Sequence, residues 1–140
     1  MKWNSTDYTT RRMSVLSLHR SEGFGLTIAE AMIRGIPVVA TKWSGNVDSV
    51  TEENGVPVPY SLVPATDPQG TYDQPQLCWA DADVAAAADA LKRLRAEPEL
   101  ALRMGQAGAS YAARNWSAQA YTDLVSDRLG IRRHPDRGSD

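Results

Sequence analysis

An α/β fold, with a short parallel sheet and a helical C-terminal third, is what this sequence predicts. Three observations carry the expectation. Strand-like apolar runs at residues 13–18 and 36–40 flank a helix-like segment at 26–34, the order of a β–α–β unit with parallel strands. Glycines mark both corners of that unit, Gly23 and Gly25 before the helix and Gly35 after it. From residue 84 to residue 129 apolar side chains recur at helical spacing.

The first strand, 13–18, is an apolar run too short for a helix and bounded by polar residues. In the following helix, Ile28, Ala29, Met32 and Ile33 are expected to share the packed face. Gly35 suits the left-handed position that ends a helix, and Pro37 is tolerated at the start of the second strand. Ser44-Gly45-Asn46 reads as a turn, followed by a short helical piece to Val50. Asn54-Gly55 then turns into an edge-like strand at 56–60, which carries Pro57 and Pro59. Residues 61–80, rich in proline, read as a long irregular loop.

Beyond the loop, Val84, Ala87, Ala88, Leu91 and Leu94 mark one helix, and Leu100, Met104, Ala107 and Tyr111 a second with Pro98 in its first turn. Ser117 is placed to cap a third, with Trp116 stapled on Tyr121 and a buried stripe of Tyr121, Leu124, Val125 and Leu129. The expected organisation is a polar segment at 1–12, with the last turn of a helix at 8–12, one folded unit at 13–129 and a charged, frayed tail at 130–140.

With 140 residues, the chain has the length of one domain. Fifteen basic against 17 acidic residues leave no polycationic footprint for nucleic acid. A lone cysteine, Cys78, has no intramolecular disulfide partner. Neither a signal-peptide core nor a run long enough to cross a bilayer is present, so a cytoplasmic location is the expectation.

The chemistry concentrates at Ser21-Glu22-Gly23-Phe24-Gly25-Leu26. A helix N-terminus presents unpaired N–H groups and roughly half a positive charge, and glycines before it let a ligand approach the backbone. Glu22 lies in the turn, and Glu30 lies about 40° from Leu26 on an ideal helical wheel. Amide donors beside two carboxylate acceptors suit a polyol phosphate, whose hydroxyls donate and whose phosphate oxygens accept. The alternative is a surface ion pair between Glu30 and Arg34, with Glu22 complementing the helix dipole. Arg20 is either a counter-ion for phosphate or a solvated side chain, and His19 reads first as a satisfied ring at the strand end. A dinucleotide fingerprint fits poorly, because Ile28 stands at the third glycine and Thr41-Lys42 where an acid is required. No nucleophile elbow accompanies Ser17, His19 or Ser21.

The stretch Glu22-Gly23-Phe24-Gly25-Leu26, then Ala29-Glu30-Ala31-Met32, then Gly35-Ile36-Pro37-Val38-Val39-Ala40-Thr41, resembles the Glu-x7-Glu segment of the GT-B glycosyltransferases of family 4. The phrases "SLHRSEGFGL" and "SGNVDSVTEENGVPVPY" strengthen the resemblance. It implies a partial Rossmann-like sheet, the later half of a C-terminal domain that binds a nucleoside-diphosphate sugar. By position it further implies that Glu22, the catalytic candidate, lies near the donor sugar and that Glu30 accepts from the ribose hydroxyls. Gly23, Phe24, Gly25, Leu26 and Thr27 would surround the sugar and diphosphate. Ser44, Gly45 and Asn46, with Asp48 nearby, would shape the base pocket. Retention of anomeric configuration, no bound cofactor and no metal complete the implication.

The same resemblance implies an acceptor-binding half and early donor-half strands that these residues do not contain. Two functions follow as expectations. One is the donor-binding portion of a retaining glycosyltransferase, completed by a separate chain. The other is a non-catalytic remnant or binding module with weak or no turnover of its own. In either case the sheet is expected to show an unpaired edge and an uncovered apolar face.

Overall fold

A computed structural model describes residues 13–72 and 76–130 of the chain. The expected polar segment, its helical turn and the tail beyond Gly130 lie outside the described residues.

Strand β1 (Val15–Ser17) and strand β2 (Val38–Thr41) run parallel, joined by helix α1 (Leu26–Ile33). Strand β3 (Gly55–Val58) pairs parallel with β2 on its other side, so the sheet order is β1-β2-β3. This is the predicted α/β core. All four residues of β2 are buried, as a central parallel strand covered on both faces requires. Val38 and Ala40 join Ile28, Ala31, Met32 and Val50 on one face. Val39 faces the other way, among Val58, Ala87, Ala90, Leu94 and Met104.

The packed stripe of α1 is Ile28, Ala29, Ala31 and Met32. Ile33, expected within it, is 60% exposed. The wheel explains this: five residues beyond Ile28, Ile33 has rotated about 140° away, whereas Ala31 and Met32 stay close to its row. Gly35 ends the helix at φ 68°, the left-handed conformation predicted for it.

The expected irregular loop at 61–80 is strand at both of its ends, and its described residues between 65 and 77 are irregular. Pro59 ends the parallel sheet, and strand β4 (Tyr60–Pro64) pairs antiparallel with strand β5 (Cys78–Ala82), from Tyr60 opposite Ala82 to Pro64 opposite Cys78. The expectation failed because β5 reads Cys-Trp-Ala-Asp-Ala, a composition with little intrinsic strand preference. Its pairing with β4, not its residues, makes it a strand.

Helices α2 (Val84–Ala96), α3 (Pro98–Asn115) and α4 (Ala118–Leu129) follow. Asp83 caps α2 by accepting from the Ala86 amide at 2.9 Å. We expect Asp83→Ala to cost about 1 kcal/mol, read as a lower urea midpoint. Val84, expected on the buried stripe, stands at the first helical position and is exposed, and Ala90 takes its place beside Ala87 and Leu94. Pro98 opens α3 as predicted. That helix packs through Met104, Gly105, Gly108 and Ala112, and its two glycines are invisible to an apolar periodicity.

Helix α4 departs furthest from expectation. Ser117 does cap it, accepting from Ala120 N at 3.1 Å. Yet Tyr121, Leu124 and Leu129 are 70%, 55% and 67% exposed. Trp116 turns from Tyr121 and packs edge-on against Phe24 and Tyr111. Of the predicted stripe only Val125 is half-buried. On the other side of the molecule, β1 pairs among the described residues only with β2. Leu16 is 46% exposed on this strand.

Candidate functional site

The Gly23–Gly25 turn stands at the carboxyl end of β1 and opens α1. Gly25 precedes the helix at φ 79°, and no side chain caps the first turn. A helix start without a cap leaves N–H donors free for water or a ligand. Leu26 and Thr27 are exposed over it, and Phe24 is 52% exposed with its edge on Trp116.

Three contacts interlock this turn with the Ser44–Asn46 3-10 turn that follows β2. The Ser44 hydroxyl donates to the Glu22 carbonyl. The Glu22 amide donates to Ser44 Oγ at 3.3 Å, and the Gly45 amide donates to the Glu22 carbonyl at 3.2 Å. Ser44 holds φ 71° to make them, a conformation that non-glycine residues rarely adopt. Gly45 lies so close to Gly23 that an added Cβ would coincide with the Gly23 carbonyl oxygen.

His19 ties the same two segments from below. Its Nε2 donates to the Trp43 carbonyl at 2.9 Å, and its Nδ1 lies 3.1 Å from Ser17 Oγ. A carbonyl can only accept, so Nε2 carries a proton. In the neutral ring Nδ1 therefore accepts from the serine. The ring is satisfied, as the sequence reading favoured, and it also fixes the residue before Ser44.

Among the carboxylates, Glu22 is half-buried and accepts from the Gly23 amide at 3.0 Å. Glu30 is exposed, 3.7 Å from Arg34. This is the i,i+4 pair weighed as the alternative; at such exposure it is worth a few tenths of a kcal/mol and leaves the carboxylate available. Arg20 is exposed, and its guanidinium donates to Asp81 at 3.0 Å and lies 5.7 Å from the Trp79 ring centroid. Asp81 and Trp79 escaped the sequence reading because they lie on β5, a strand it did not expect, some sixty residues from the turn.

Asn46 is buried and holds its own turn, donating to the Thr41 carbonyl at 3.0 Å. Its Oδ1, like Thr41 Oγ1, is buried without a partner among the described residues. A ligand would reach it only after the Ser44–Asn46 turn opens. Asp48 is exposed, and its carbonyl accepts from the Tyr111 hydroxyl at 3.0 Å. The arrangement thus offers amide donors and the Glu22 carboxylate at the carboxyl ends of the parallel strands, with Arg20 just before the turn and Glu30 one helical turn into α1.

A separate cavity of about 160 Å³ opens at the amino ends of the strands, lined by Met13, Pro37, Leu94, Pro98 and Leu102 among others. It is apolar and lies at the far end of the strands from the turn, so the chemistry of the site does not depend on it. No helix among the described residues is long and apolar enough to cross a membrane.

A family model described as "Glycosyl transferases group 1" matches residues 8–97, a span that holds both turns, the parallel sheet and the β4–β5 arm. No curated protein and no solved structure matches the chain.

Proposed function

Because this chain belongs to the group 1 glycosyl transferases, we propose that it forms the donor-binding portion of a retaining glycosyltransferase. The ligand is a nucleoside-diphosphate sugar, and a separate chain supplies the acceptor half. The uncapped start of α1 beyond Gly25 is the observation that carries the reading. Its free N–H groups suit the sugar hydroxyls and diphosphate oxygens. Glu22, already turned onto the Gly23 amide, sits beside the sugar as the catalytic group. Glu30 accepts from the ribose. Thr27 and Leu26 flank the diphosphate, and the Ser44–Asn46 turn borders the base. No bound cofactor or metal is required, and the location is cytoplasmic.

Titration calorimetry with nucleoside-diphosphate sugars tests the reading. Glu30→Ala is expected to weaken binding about tenfold or more, the worth of hydrogen bonds to a charged acceptor. An unchanged affinity would remove the ribose assignment.

Among the described residues β1 has no partner on its outer edge and Leu16 is exposed, which favours a second reading in which the chain alone binds donor without transferring sugar. Sugar transfer by the purified chain at rates typical of an enzyme would exclude it.

A further inference from the structure

One residue grips the β4–β5 arm at three successive positions. The Arg20 carbonyl accepts from the Ala80 amide at 3.0 Å, its guanidinium donates to Asp81 at 3.0 Å, and the same group lies 5.7 Å from the centre of the Trp79 ring. Arg20 also stands two residues before Glu22, in the segment that leads from β1 into the turn.

These contacts differ in how easily they yield. The backbone bond, and the pairing of β5 with β4, hold the arm in place whatever the side chains do. Trp79 engages the guanidinium through its ring, a contact that leaves the in-plane N–H donors free. The Asp81 contact is the exchangeable one, because its partners are 54% and 58% exposed. An ion pair that exposed is weak and screened by salt. A diphosphate carries more charge than one carboxylate and offers several oxygens to the planar guanidinium fork.

Resting on the donor-site reading, we propose that Asp81 competes with the diphosphate of the ligand for Arg20. The β4–β5 arm then positions Arg20 and sets how tightly the site holds an anion. Trp79 keeps the guanidinium in place while its partner changes. Asp81 lowers affinity by occupying an Nη2 donor and by repelling the incoming charge. Its cost to binding is bounded by the strength of an exposed pair, which corresponds to a factor of roughly two to five.

The probe is inorganic pyrophosphate, titrated into the whole chain and into Asp81→Asn, Arg20→Gln and the double variant. Asp81→Asn is expected to bind roughly two- to five-fold more tightly, with the gain absent when Arg20 is also replaced. Asp81→Ser serves as a second test of the same competition. An unchanged or weaker affinity in both Asp81 variants overturns the proposal. So does an equal gain without Arg20, since Asp81 would then act only as a diffuse negative charge, and so does failure of pyrophosphate to bind all of these proteins. If the Arg20-dependent gain appears but no nucleoside-diphosphate sugar binds any variant, this proposal stands and the sugar-nucleotide reading falls.

Discussion

Gly105→Ala is expected to destabilise the fold by about 3 kcal/mol, the upper range for overpacking a tight contact. An added Cβ there would overlap the Gly35 carbonyl oxygen, with Pro37 Cδ at 3.6 Å beside it. That oxygen is backbone and cannot rotate away as a side chain would, whereas Pro37 is only in ordinary contact. Gly35 is itself held at φ 68° by the end of α1, so the turn cannot swing aside cheaply. Helix α3 must lift instead, and Met32, which packs beneath Gly108, loses contact with it. The control lies one helical turn onward. A Cβ at Gly108 would meet Met32 Cγ at 3.5 Å, an ordinary contact, and alanine is the better helix former by about 0.5–1 kcal/mol. Gly108→Ala should therefore leave stability unchanged or raised. Urea unfolding followed by tryptophan fluorescence reads both; equal effects at the two positions would show that α3 does not approach the turn this closely.

This contrast marks the boundary of what the sequence could disclose. The βαβ core was legible because periodicity and glycine placement are local properties: Ile28 and Met32 lie one turn apart, and Gly35 follows at once. Gly105 and Gly108 matter through what approaches them from some seventy residues away, which no local pattern records. The β4–β5 arm was missed for a related reason. Pairing with β4 overrides the poor strand preference of β5, and the prolines at 59 and 64 delimit β4 without forbidding it. Helix α4 errs in the opposite direction, since its apolar stripe is plain in the sequence and the described residues leave all of it but Val125 exposed. Pattern reports capacity for burial; burial itself needs a partner.

The site divides along the same line. Glu22, Glu30 and the glycine turn were candidates because they lie within one short stretch, and the turn does open a helix start. That Arg20 would meet Asp81 and Trp79, or that His19 would reach the Trp43 carbonyl, depends on which loops the sheet brings together at its carboxyl edge. The parallel order β1-β2 places the segments after those two strands side by side. Their interlock through Ser44 and Glu22 follows from that order, not from either segment alone.

Gly45→Ala strikes that interlock directly, and we expect it to separate ligand binding from stability. The new Cβ would coincide with the Gly23 carbonyl oxygen, so one turn must yield to the other. Gly45 and Gly23 are exposed, and although Gly25 and Asn46 in the same turns are buried, neither belongs to an apolar core cluster. Little core packing is therefore lost, and the unfolding free energy should fall by only about 1 kcal/mol. Binding has no such tolerance. If the Gly23–Gly25 turn shifts by even about an ångström, the α1 amides and the Glu22 carboxylate lose their common geometry, and a misplacement of that size can cost about a hundredfold in function. Affinity for a nucleoside-diphosphate sugar should fall at least tenfold by calorimetry, with the urea midpoint nearly held. Ser44→Ala provides the graded comparison: it removes the hydroxyl bonds to Glu22 but adds no bulk, so it should weaken binding less. If Gly45→Ala bound the ligand as well as the parent chain, the two turns could not be what holds it. A fall in affinity matched by an equal collapse of stability would mean that the turns serve the fold rather than the ligand.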